Sequence, residues 1–351
     1  MIRACVIGAG GFGGANIIEL LVGHPEVEIA ALVDVDGVGA PISARHRHLA
    51  GFCDLPVRSP EALDWSGVDV AFSATPDGVG MQLARECRAA GVKLIDYSGD
   101  FRFGAPATYA EYARRIGRAP EHAAPELLDQ TTYGLAELHR KALAASPIVG
   151  NPGCFAVSTI LGFAPAVQAG LVDPASLIAD AKTGVSGAGI KPNQTFHYPL
   201  RYENMNAYKI GAHQHCMEIE HELGLLASAP LCVTLTTQVV PLCRGIMTVC
   251  YGQLRDAGLS AEQALATYRD FYADDGFVTV EAAGVPVSNN DVRGSNRCVL
   301  GVNVDTRTGR LLVVSHIDNL MKGQAGSALQ NMNLMFGLDE ATGLRRPPFY
   351  P

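Results

Sequence analysis

The chain has 351 residues, of which 48% are hydrophobic and 18% are charged, a composition typical of a folded protein of about two domains. Its 27 lysines and arginines against 35 aspartates and glutamates leave a net charge of −8, which argues against a nucleic-acid partner. No apolar run reaches the roughly 18 residues of a membrane span without a glycine, proline or charge.

The nine cysteines favour a reducing compartment, because their number is odd and none forms a C-x-x-C pair. The first apolar run contains a glycine cluster where a signal peptide would need a cleavage site. We therefore expect a soluble, cytoplasmic protein without a membrane partner, in which any special cysteine must be found from its neighbours.

Strands and helices alternate in the first part of the chain. Residues 2–7 have the pattern of a buried parallel strand, and helical periodicity from Phe12 to Val22 follows a glycine turn. Further strands are predicted at 28–33, 68–75 and 92–97, and a helix at 78–90. This order predicts an α/β fold with a doubly wound, dinucleotide-binding (Rossmann) domain, formed by residues 1–150 plus 318–351.

The remainder of the chain, residues 151–317, is rich in β-branched residues instead. Predicted strands are two runs within 231–254, then 298–304 and 311–315, which are joined by a hairpin loop. They predict an α+β catalytic and oligomerisation domain with a mainly antiparallel sheet. Asp318 offers an N-cap for a long helix that ends near Phe336.

The glycine cluster directly after the first strand is the first candidate site. Glycines there let the backbone approach a pyrophosphate, whose charge is met by the amides at the helix start, although a merely tight turn has the same composition. The predicted cofactor contacts in this loop are Gly8, Gly10, Gly11, Phe12, Gly13 and Gly14.

Two features near the second strand give opposite indications for the cofactor. Asp34, at the strand end, would bond the free ribose hydroxyls of NAD and repel the extra phosphate of NADP. Arg45 and Arg47 follow closely and could hold that phosphate, or could belong to a solvated basic loop.

Cys154 is the candidate nucleophile. It follows an apolar strand and a tight turn and precedes a helical run, so it meets the positive end of the helix dipole, which favours the thiolate. Most of the other cysteines are expected to be small buried thiols.

His215 is the candidate acid–base residue, because a helix starting there would place Glu218 one turn later, able to orient the imidazole. His213 lies two residues earlier, but no further His or Cys completes a metal site. The alternative reading is a pair of surface histidines before an acidic helix.

Polar and glycine-rich segments supply the remaining candidates. Ser186, Gly187 and Asn319 could present hydroxyl, amide and backbone groups to the cofactor. Guanidinium groups clamp phosphate or carboxylate with paired hydrogen bonds, which makes arginines candidates for the substrate anion. The predicted substrate-binding residues are Arg102, Asn151, His213, Glu218, Arg244 and Lys322.

These motifs together resemble the N-acetyl-gamma-glutamyl-phosphate reductase family nearly end to end. In chain order they are Gly8-Ala9-Gly10-Gly11-Phe12 with Gly14, Ser98-Gly99-Asp100-Phe101-Arg102, Tyr133-Gly134-Leu135-Ala136-Glu137, Asn151-Pro152-Gly153-Cys154, Ser186-Gly187-Ala188-Gly189, His213-Gln214-His215 with Glu218, Arg244-Gly245-Ile246 and Asp318-Asn319-Leu320-Met321-Lys322-Gly323. The chain departs from the family pattern at Phe155 (usually Tyr), Ile190 (often Arg or Lys) and Gln214 (Arg).

The resemblance implies NADP-dependent reduction of an acyl phosphate to a semialdehyde in arginine biosynthesis, with Cys154 as nucleophile and His215 as acid–base residue. It implies an NADP cofactor, with NAD as the alternative, and inorganic phosphate as the second product. Exposed strands make a homo-oligomer, a dimer or tetramer, the expected state. Three other readings stay open: the same chemistry on an aspartyl or carrier-bound aminoadipyl phosphate, a dehydrogenase using Cys154 only structurally, and a non-catalytic dinucleotide sensor.

Overall fold

The computed structural model describes residues 1–350, except for the side chain of Thr195. Within it the chain forms two compact units. The first comprises Met1–Pro152 and Gln324–Arg345, and the second Gly153–Gly323 with the chain from Arg346 onward. The assignment of dinucleotide binding to the first predicted domain, and of catalysis and oligomerisation to the second, stays a prediction.

The first unit is built on a seven-stranded, fully parallel sheet. Its strands are β1 (Ile2–Ile7), β2 (Val27–Val33), β3 (Val57–Arg58), β4 (Val70–Ser73), β5 (Lys93–Asp96), β6 (Thr131–Tyr133) and β7 (Ile148–Gly150), in the spatial order β3-β2-β1-β4-β5-β7-β6. The helices between them are α1 (Phe12–Val22), α2 (Ile42–Arg45), α3 (Gly80–Ala89), α4 (Pro106–Arg115) and α5 (Ala136–Ala145). The predicted doubly wound sheet is confirmed.

Short, apolar strands make this sheet, as burial on both faces requires. In β4 all four residues are buried, and in β1 the last four are buried. The carboxyl ends of β1 and β4 lie side by side, with the strands after them running outward in opposite directions along the sheet. Ligands of such sheets bind at this reversal of strand order.

The second unit contains a seven-stranded mixed sheet in the order β12-β13-β14-β11-β8-β10-β9. Its strands are β8 (Ile178–Thr183), β9 (Asn206–Tyr208), β10 (Thr234–Val239), β11 (Ile246–Gln253), β12 (Val278–Val280), β13 (Cys298–Asp305) and β14 (Arg310–Ile317), and its helices are α6 (Cys154–Gln168), α7 (Tyr198–Arg201), α8 (His215–Ala227) and α9 (Ala261–Phe271). The sheet is mainly antiparallel, as predicted, with parallel pairs only at β8–β10 and β12–β13.

Helix α6 forms the centre of the second unit, because every residue from Phe155 to Val167 is buried. It packs against α8, α9, β11 and β14. A helix that is apolar all round belongs in a core. The sheet and helix packing therefore holds the first residue of α6, Cys154, in a rigid setting.

The long helix predicted from Asp318 to Phe336 is instead divided. A π-helical turn spans Met321–Ala325, and α10 (Gly326–Met335) follows it. One Asp318 carboxylate oxygen accepts the N–H groups of Leu320 and Met321, so Asp318 organises a turn rather than a continuous helix. π-Helical turns are found frequently at functional sites.

Candidate active site

The loop between β1 and α1 is tightly folded on neighbouring backbone at Gly8 and Gly14. Since glycine has no side chain, the backbone amides of this loop stay accessible to a ligand's phosphates. A Cβ on Gly14 would lie 2.3 Å from the carbonyl oxygen of Gly8, and Gly8 has a positive φ of 78°. No side chain fits at either position without moving the backbone. The loop and the first amides of α1 therefore form the kind of cradle that holds a dinucleotide pyrophosphate.

Asp34 and Arg45 both contact the backbone of Gly10 in this loop. The Gly10 N–H donates to Asp34 Oδ2 over 2.8 Å, and Arg45 Nε donates to the Gly10 carbonyl over 2.9 Å. Asp34 Oδ1 accepts the N–H of Asp36. Both oxygens of the Asp34 carboxylate thus already bond to backbone amides, while the Arg45 guanidinium lies beside them.

Arg47 lies apart from these contacts. It follows α2 in a short 3₁₀ turn and is exposed, and its side chain has no hydrogen-bond or ion-pair partner within residues 1–350. The side chain of Arg45, in contrast, is 35% exposed, and its guanidinium lies 3.9 Å from an Asp36 oxygen. The structure therefore brings only Arg45 of the pair against the glycine loop.

Arg102 and Asn151 are brought together in the first unit, where both are buried. Arg102 Nε donates to the Asn151 carbonyl over 2.9 Å, and Arg102 Nη2 donates to the Tyr97 carbonyl over 2.7 Å. The Asn151 side chain donates to the Gln324 carbonyl over 3.0 Å and accepts from Asn331. These hydrogen bonds hold the loop after β7 that leads to Cys154.

Cys154 is the first residue of α6, as the sequence predicted for the candidate nucleophile. No acidic residue lies in the first turn to oppose the helix dipole. Cys154 is partly exposed, whereas Cys5 and Cys87 are fully buried, and burial raises the pKa of each of those two thiols to about 12. Cys154 is thus the accessible thiol at a helix start.

Glu218 joins the candidate acid–base residue to the residue before the nucleophile. It is 1% exposed, and its Oε2 accepts the Gly153 N–H over 3.0 Å while its Oε1 lies 3.9 Å from His215 Nε2. A Cβ on Gly153 would lie only 2.2 Å from His215 Nε2. Because glycine occupies that position, the imidazole reaches the start of α6.

His213 belongs to a cluster of rings around this point. The His215 N–H donates to His213 Nδ1 over 3.2 Å, and the two imidazole centroids are 4.6 Å apart. Phe155 meets His213 edge-on with ring centroids 5.3 Å apart. The N–H donation makes Nδ1 of His213 an acceptor, so a proton on the neutral ring resides on Nε2.

Tyr208 belongs to the same cluster, although it is not one of the residues predicted from the sequence. Its ring centroid is 5.7 Å from that of His213. Burial raises the pKa of Tyr208, and the charge of a Cys154 thiolate adds to the rise, so the two side chains are within electrostatic reach. Tyr208 lies in a three-residue strand, too short for a periodic pattern, and only its position shortly before His213 could have indicated it.

Ser186, Asn319 and Arg244 meet elsewhere in the second unit. Asn319 Nδ2 donates to Ser186 Oγ over 3.0 Å, and Asn319 Oδ1 accepts the Gly245 N–H over 2.7 Å. Arg244 pairs with the buried carboxylate of Asp318, its Nε lying 3.0 Å from Asp318 Oδ2 and its Nη2 3.2 Å from Oδ1.

Gly187 and Lys322 differ in solvent exposure, because Gly187 is exposed and Lys322 is buried. Gly187 lies in the 3₁₀ turn Val185–Ala188 beside Ser186, with its N–H on the Gly184 carbonyl. Lys322 is fully buried, and its ammonium lies 5.7 Å from the centre of the Phe277 ring. Of the polar residues predicted to bind the cofactor or substrate in this unit, Lys322 is the least exposed residue.

Neither a metal-ion cluster nor a membrane-spanning helix is found in the described part of the chain. No group of three or more His, Cys, Asp and Glu side chains there could hold a metal ion. No described helix is long and apolar enough to cross a membrane.

Two family models match the chain. Residues 3–146 match the semialdehyde dehydrogenase NAD binding domain, and residues 154–319 match the semialdehyde dehydrogenase dimerisation domain. Curated relatives named N-acetyl-gamma-glutamyl-phosphate reductase match over the full length. The protein from Desulforudis audaxviator is 42% identical, with 100% of both chains covered, and that from Symbiobacterium thermophilum is 43% identical, with 100% of this chain and 99% of the relative covered.

Solved structures share the fold at low identity. Aspartate semialdehyde dehydrogenase II from Vibrio cholerae, complexed with ASA, matches with a TM-score of 0.71 and 19% identity over 96% of this chain and 98% of that chain. Aspartate semialdehyde dehydrogenase with NADP from Candida albicans matches with a TM-score of 0.68 and 16% identity, again over 96% and 98%.

Proposed function

The chain belongs to the N-acetyl-gamma-glutamyl-phosphate reductase family of semialdehyde dehydrogenases, and on that premise we propose that it reduces N-acetyl-gamma-glutamyl phosphate to N-acetylglutamate 5-semialdehyde. The reaction consumes NADPH, releases phosphate and belongs to arginine biosynthesis. The observation that carries the proposal is the placement of a partly exposed Cys154 at the start of α6, where Glu218 connects the preceding amide to His215.

Cys154 forms the covalent intermediate. Its thiolate attacks the acyl carbon of the substrate, the bond from that carbon to the phosphate oxygen breaks, and a thioester remains. A nicotinamide dinucleotide, when bound, supplies the hydride that reduces the thioester carbon. The carbon–sulfur bond of the resulting thiohemiacetal then breaks, which releases the aldehyde and restores the Cys154 thiolate.

His215 moves the proton that these steps require. It gives a proton to the departing phosphate oxygen, and it stabilises the oxygen on the reacting carbon as that oxygen gains and loses charge. Glu218 fixes the ring by its carboxylate and fixes the loop before Cys154 by its bond to Gly153 N–H. The ring and the sulfur thereby keep one geometry through the reaction.

The glycine loop supports a dinucleotide cofactor, and the surroundings of Gly10 favour NADP. The Asp34 carboxylate that would bond the ribose hydroxyls of NAD is engaged by backbone amides. Arg45 lies at the loop with its guanidinium partly exposed, where it can pair with the 2′-phosphate of NADP.

Arg244 is the best-supported group for the substrate's phosphate in the second unit. The Asp318 carboxylate accepts hydrogen bonds from Nε and Nη2 of Arg244, which fixes the plane of the guanidinium. The remaining nitrogen, Nη1, has no hydrogen-bond partner within residues 1–350. A fixed guanidinium that presents a remaining nitrogen is suited to an anion.

A homo-oligomer and a cytoplasmic location complete the proposal. The family model over residues 154–319 describes a dimerisation domain. One face of the second sheet supports the same conclusion, because its apolar side chains are only half-buried. They are Met247, Val249, Tyr251, Leu312 and Val314. All nine cysteines are free thiols, which fits a reducing compartment.

The assay that tests the function runs the reaction in reverse. Purified protein should reduce NADP with N-acetylglutamate semialdehyde only when phosphate is present, followed by the absorbance of the reduced nicotinamide. Cys154→Ser should lower the rate more than about 1,000-fold while dinucleotide affinity stays within about two-fold, because a hydroxyl is a much weaker nucleophile.

The exposed Cys232 supplies the matched control, since Cys232→Ser should keep wild-type activity. Turnover of aspartate semialdehyde in place of the N-acetylglutamate compound would move the proposal to another acyl phosphate. A Cys154→Ser enzyme that keeps most of its rate would exclude the thioester mechanism, and dinucleotide binding without any phosphate-dependent turnover would indicate a sensor.

A further inference from the structure

Gln214 lies between the two histidines of the candidate site, and a lysine from the preceding turn reaches it. The Lys209 ammonium donates a hydrogen bond to Gln214 Oε1 over 2.8 Å. This chain has Gln214 where the family it resembles has arginine. The structure therefore puts a positive charge at this position from a different residue.

The turn that carries Lys209 is held in an uncommon backbone conformation. Lys209 has a φ of 46°, one of three positive φ values found for non-glycine residues within 1–350. Its carbonyl accepts the Ala212 N–H over 3.0 Å, which closes the turn. A lysine in this left-handed conformation is strained, and such strain persists where surrounding structure or function maintains it.

The charge of Lys209 is not neutralised by an acidic side chain among the described residues. Among the described residues its ammonium pairs with no carboxylate, and its one hydrogen bond goes to the neutral amide of Gln214. The side chain is exposed, while the neighbouring Tyr208 packs on His213 beside the start of α6. An exposed ammonium next to an aromatic and histidine cluster is suited to a small anionic group.

We propose that Lys209, oriented by Gln214, binds the carboxylate that the acyl chain of the substrate carries, and so selects acyl phosphates with a carboxylate a short chain away from the reacting carbon. The inference rests on the proposed function and names its specificity-determining residue. Arg244 handles the phosphate, and Lys209 handles the opposite end of the substrate.

The test compares two aldehydes that differ only in that carboxylate. N-acetylglutamate semialdehyde carries it, and 4-acetamidobutanal is the same molecule without it. With NADP and phosphate, the wild-type enzyme should prefer the first aldehyde by about 10- to 100-fold in kcat/KM, as expected for a charge-assisted hydrogen bond. Lys209→Met should reduce this preference to about two-fold, mainly by raising KM for N-acetylglutamate semialdehyde.

Three further measurements separate a role of Lys209 in carboxylate binding from a purely structural role. Lys209→Met should leave kcat/KM for 4-acetamidobutanal within about two-fold of the wild type, because that aldehyde never used the ammonium. Lys141→Met, which changes an exposed lysine of the first unit, should keep the full preference. The double variant Lys209→Met/Gln214→Arg should recover most of it, since it restores a cation at the same position.

The outcomes distinguish this inference from the function on which it rests. If the wild type does not turn over N-acetylglutamate semialdehyde, the proposed function fails. If it does, and Lys209→Met keeps the wild-type preference or loses activity equally with both aldehydes, the role of Lys209 in carboxylate binding is wrong.

Discussion

Glu218 shows how one buried carboxylate can contact both the candidate acid–base residue and the residue before the candidate nucleophile. A buried charge needs compensation, and here the Gly153 N–H and the imidazole of His215 provide part of it. The i, i+3 spacing on α8 places both side chains on one face of the helix. A change at Glu218 should therefore affect both the loop before Cys154 and the ring of His215.

Replacement of His215 tests the assignment of the proton-transfer role. We expect His215→Asn to lower kcat by about 100-fold or more, a typical contribution of a positioned acid–base group. The variant should also lose the limb of the kcat–pH profile that this group produces. Glu218→Gln keeps an oxygen for Gly153 N–H but loses the charge beside the imidazole, so we expect a smaller loss, about 10-fold. Steady-state kinetics across the pH range measures both.

His221, exposed on the same helix, provides the control, because His221→Asn should leave kcat unchanged. A larger loss in His213→Asn than in His215→Asn would reverse the assignment of the two imidazoles.

At the level of elements, the sequence predicted those strands and helices whose ends are set by hydrophobic periodicity and by local turn residues. The bounds of β1 and α1 agree with the structure, since a buried apolar run and a glycine turn define them locally. The start of α6 at Cys154 and of α8 at His215 also agree. The resemblance to the reductase family is confirmed by the full-length relatives.

Elements that depend on distant contacts could not be predicted. The π-helical turn Met321–Ala325 follows from the bonds of Asp318 to Arg244 and to the Gly294 N–H, residues far away in the sequence. The strand of Tyr208 exists because the Tyr208 segment pairs with β10. Lys209 directly follows this strand, so the geometry of its hydrogen bond to Gln214 also depends on the pairing with β10.

The prediction for the cofactor depends on the short helix α2, because this helix positions Arg45 against the glycine loop. Arg45→Ala/Arg47→Ala should weaken NADP binding by about 10- to 100-fold while NAD binding changes little, since only NADP has the 2′-phosphate. Asp34→Ser should favour NADP further by removing a negative charge. Dissociation constants for both dinucleotides, from titration of protein fluorescence or calorimetry, measure the change in preference.

Separate Arg45→Ala and Arg47→Ala variants resolve the pair, because only Arg45 bonds to the loop. A wild type that prefers NAD, or a double variant with unaltered preference, would mean that the basic segment is solvated surface and that Asp34 sets the specificity.

For the whole molecule, the pH dependence of stability should come largely from buried carboxylates in the first unit. Asp96, at the end of β5, is fully buried, and its Oδ1 has no hydrogen-bond partner within residues 1–350. Burial, together with the nearby Asp100 carboxylate, raises the pKa of Asp96 from 3.8 to about 8. Ser98 Oγ donates to its other oxygen over 2.5 Å, which offsets only part of that effect.

The sign of the effect follows from proton binding. In the folded chain Asp96 keeps its proton up to a pH of about 8, whereas in the unfolded chain it loses the proton near 3.8. The folded state therefore binds more protons between these values, and the stability contributed by neutral Asp96 is fully present below pH 3.8 and is lost as the pH rises towards 8. Asp96→Asn keeps a neutral acceptor for Ser98 and removes the titration.

We expect the melting temperature of Asp96→Asn to fall less than that of the wild type between about pH 5 and pH 8.5, by at least about 3 °C. Thermal unfolding followed by circular dichroism across that range measures it, without NADP so that ligand binding does not contribute. Asp129→Asn, at an exposed position of the same unit, should reproduce the wild-type profile. Parallel profiles for Asp96→Asn and the wild type would mean that Asp96 is ionised in the fold, or that another buried group carries the proton.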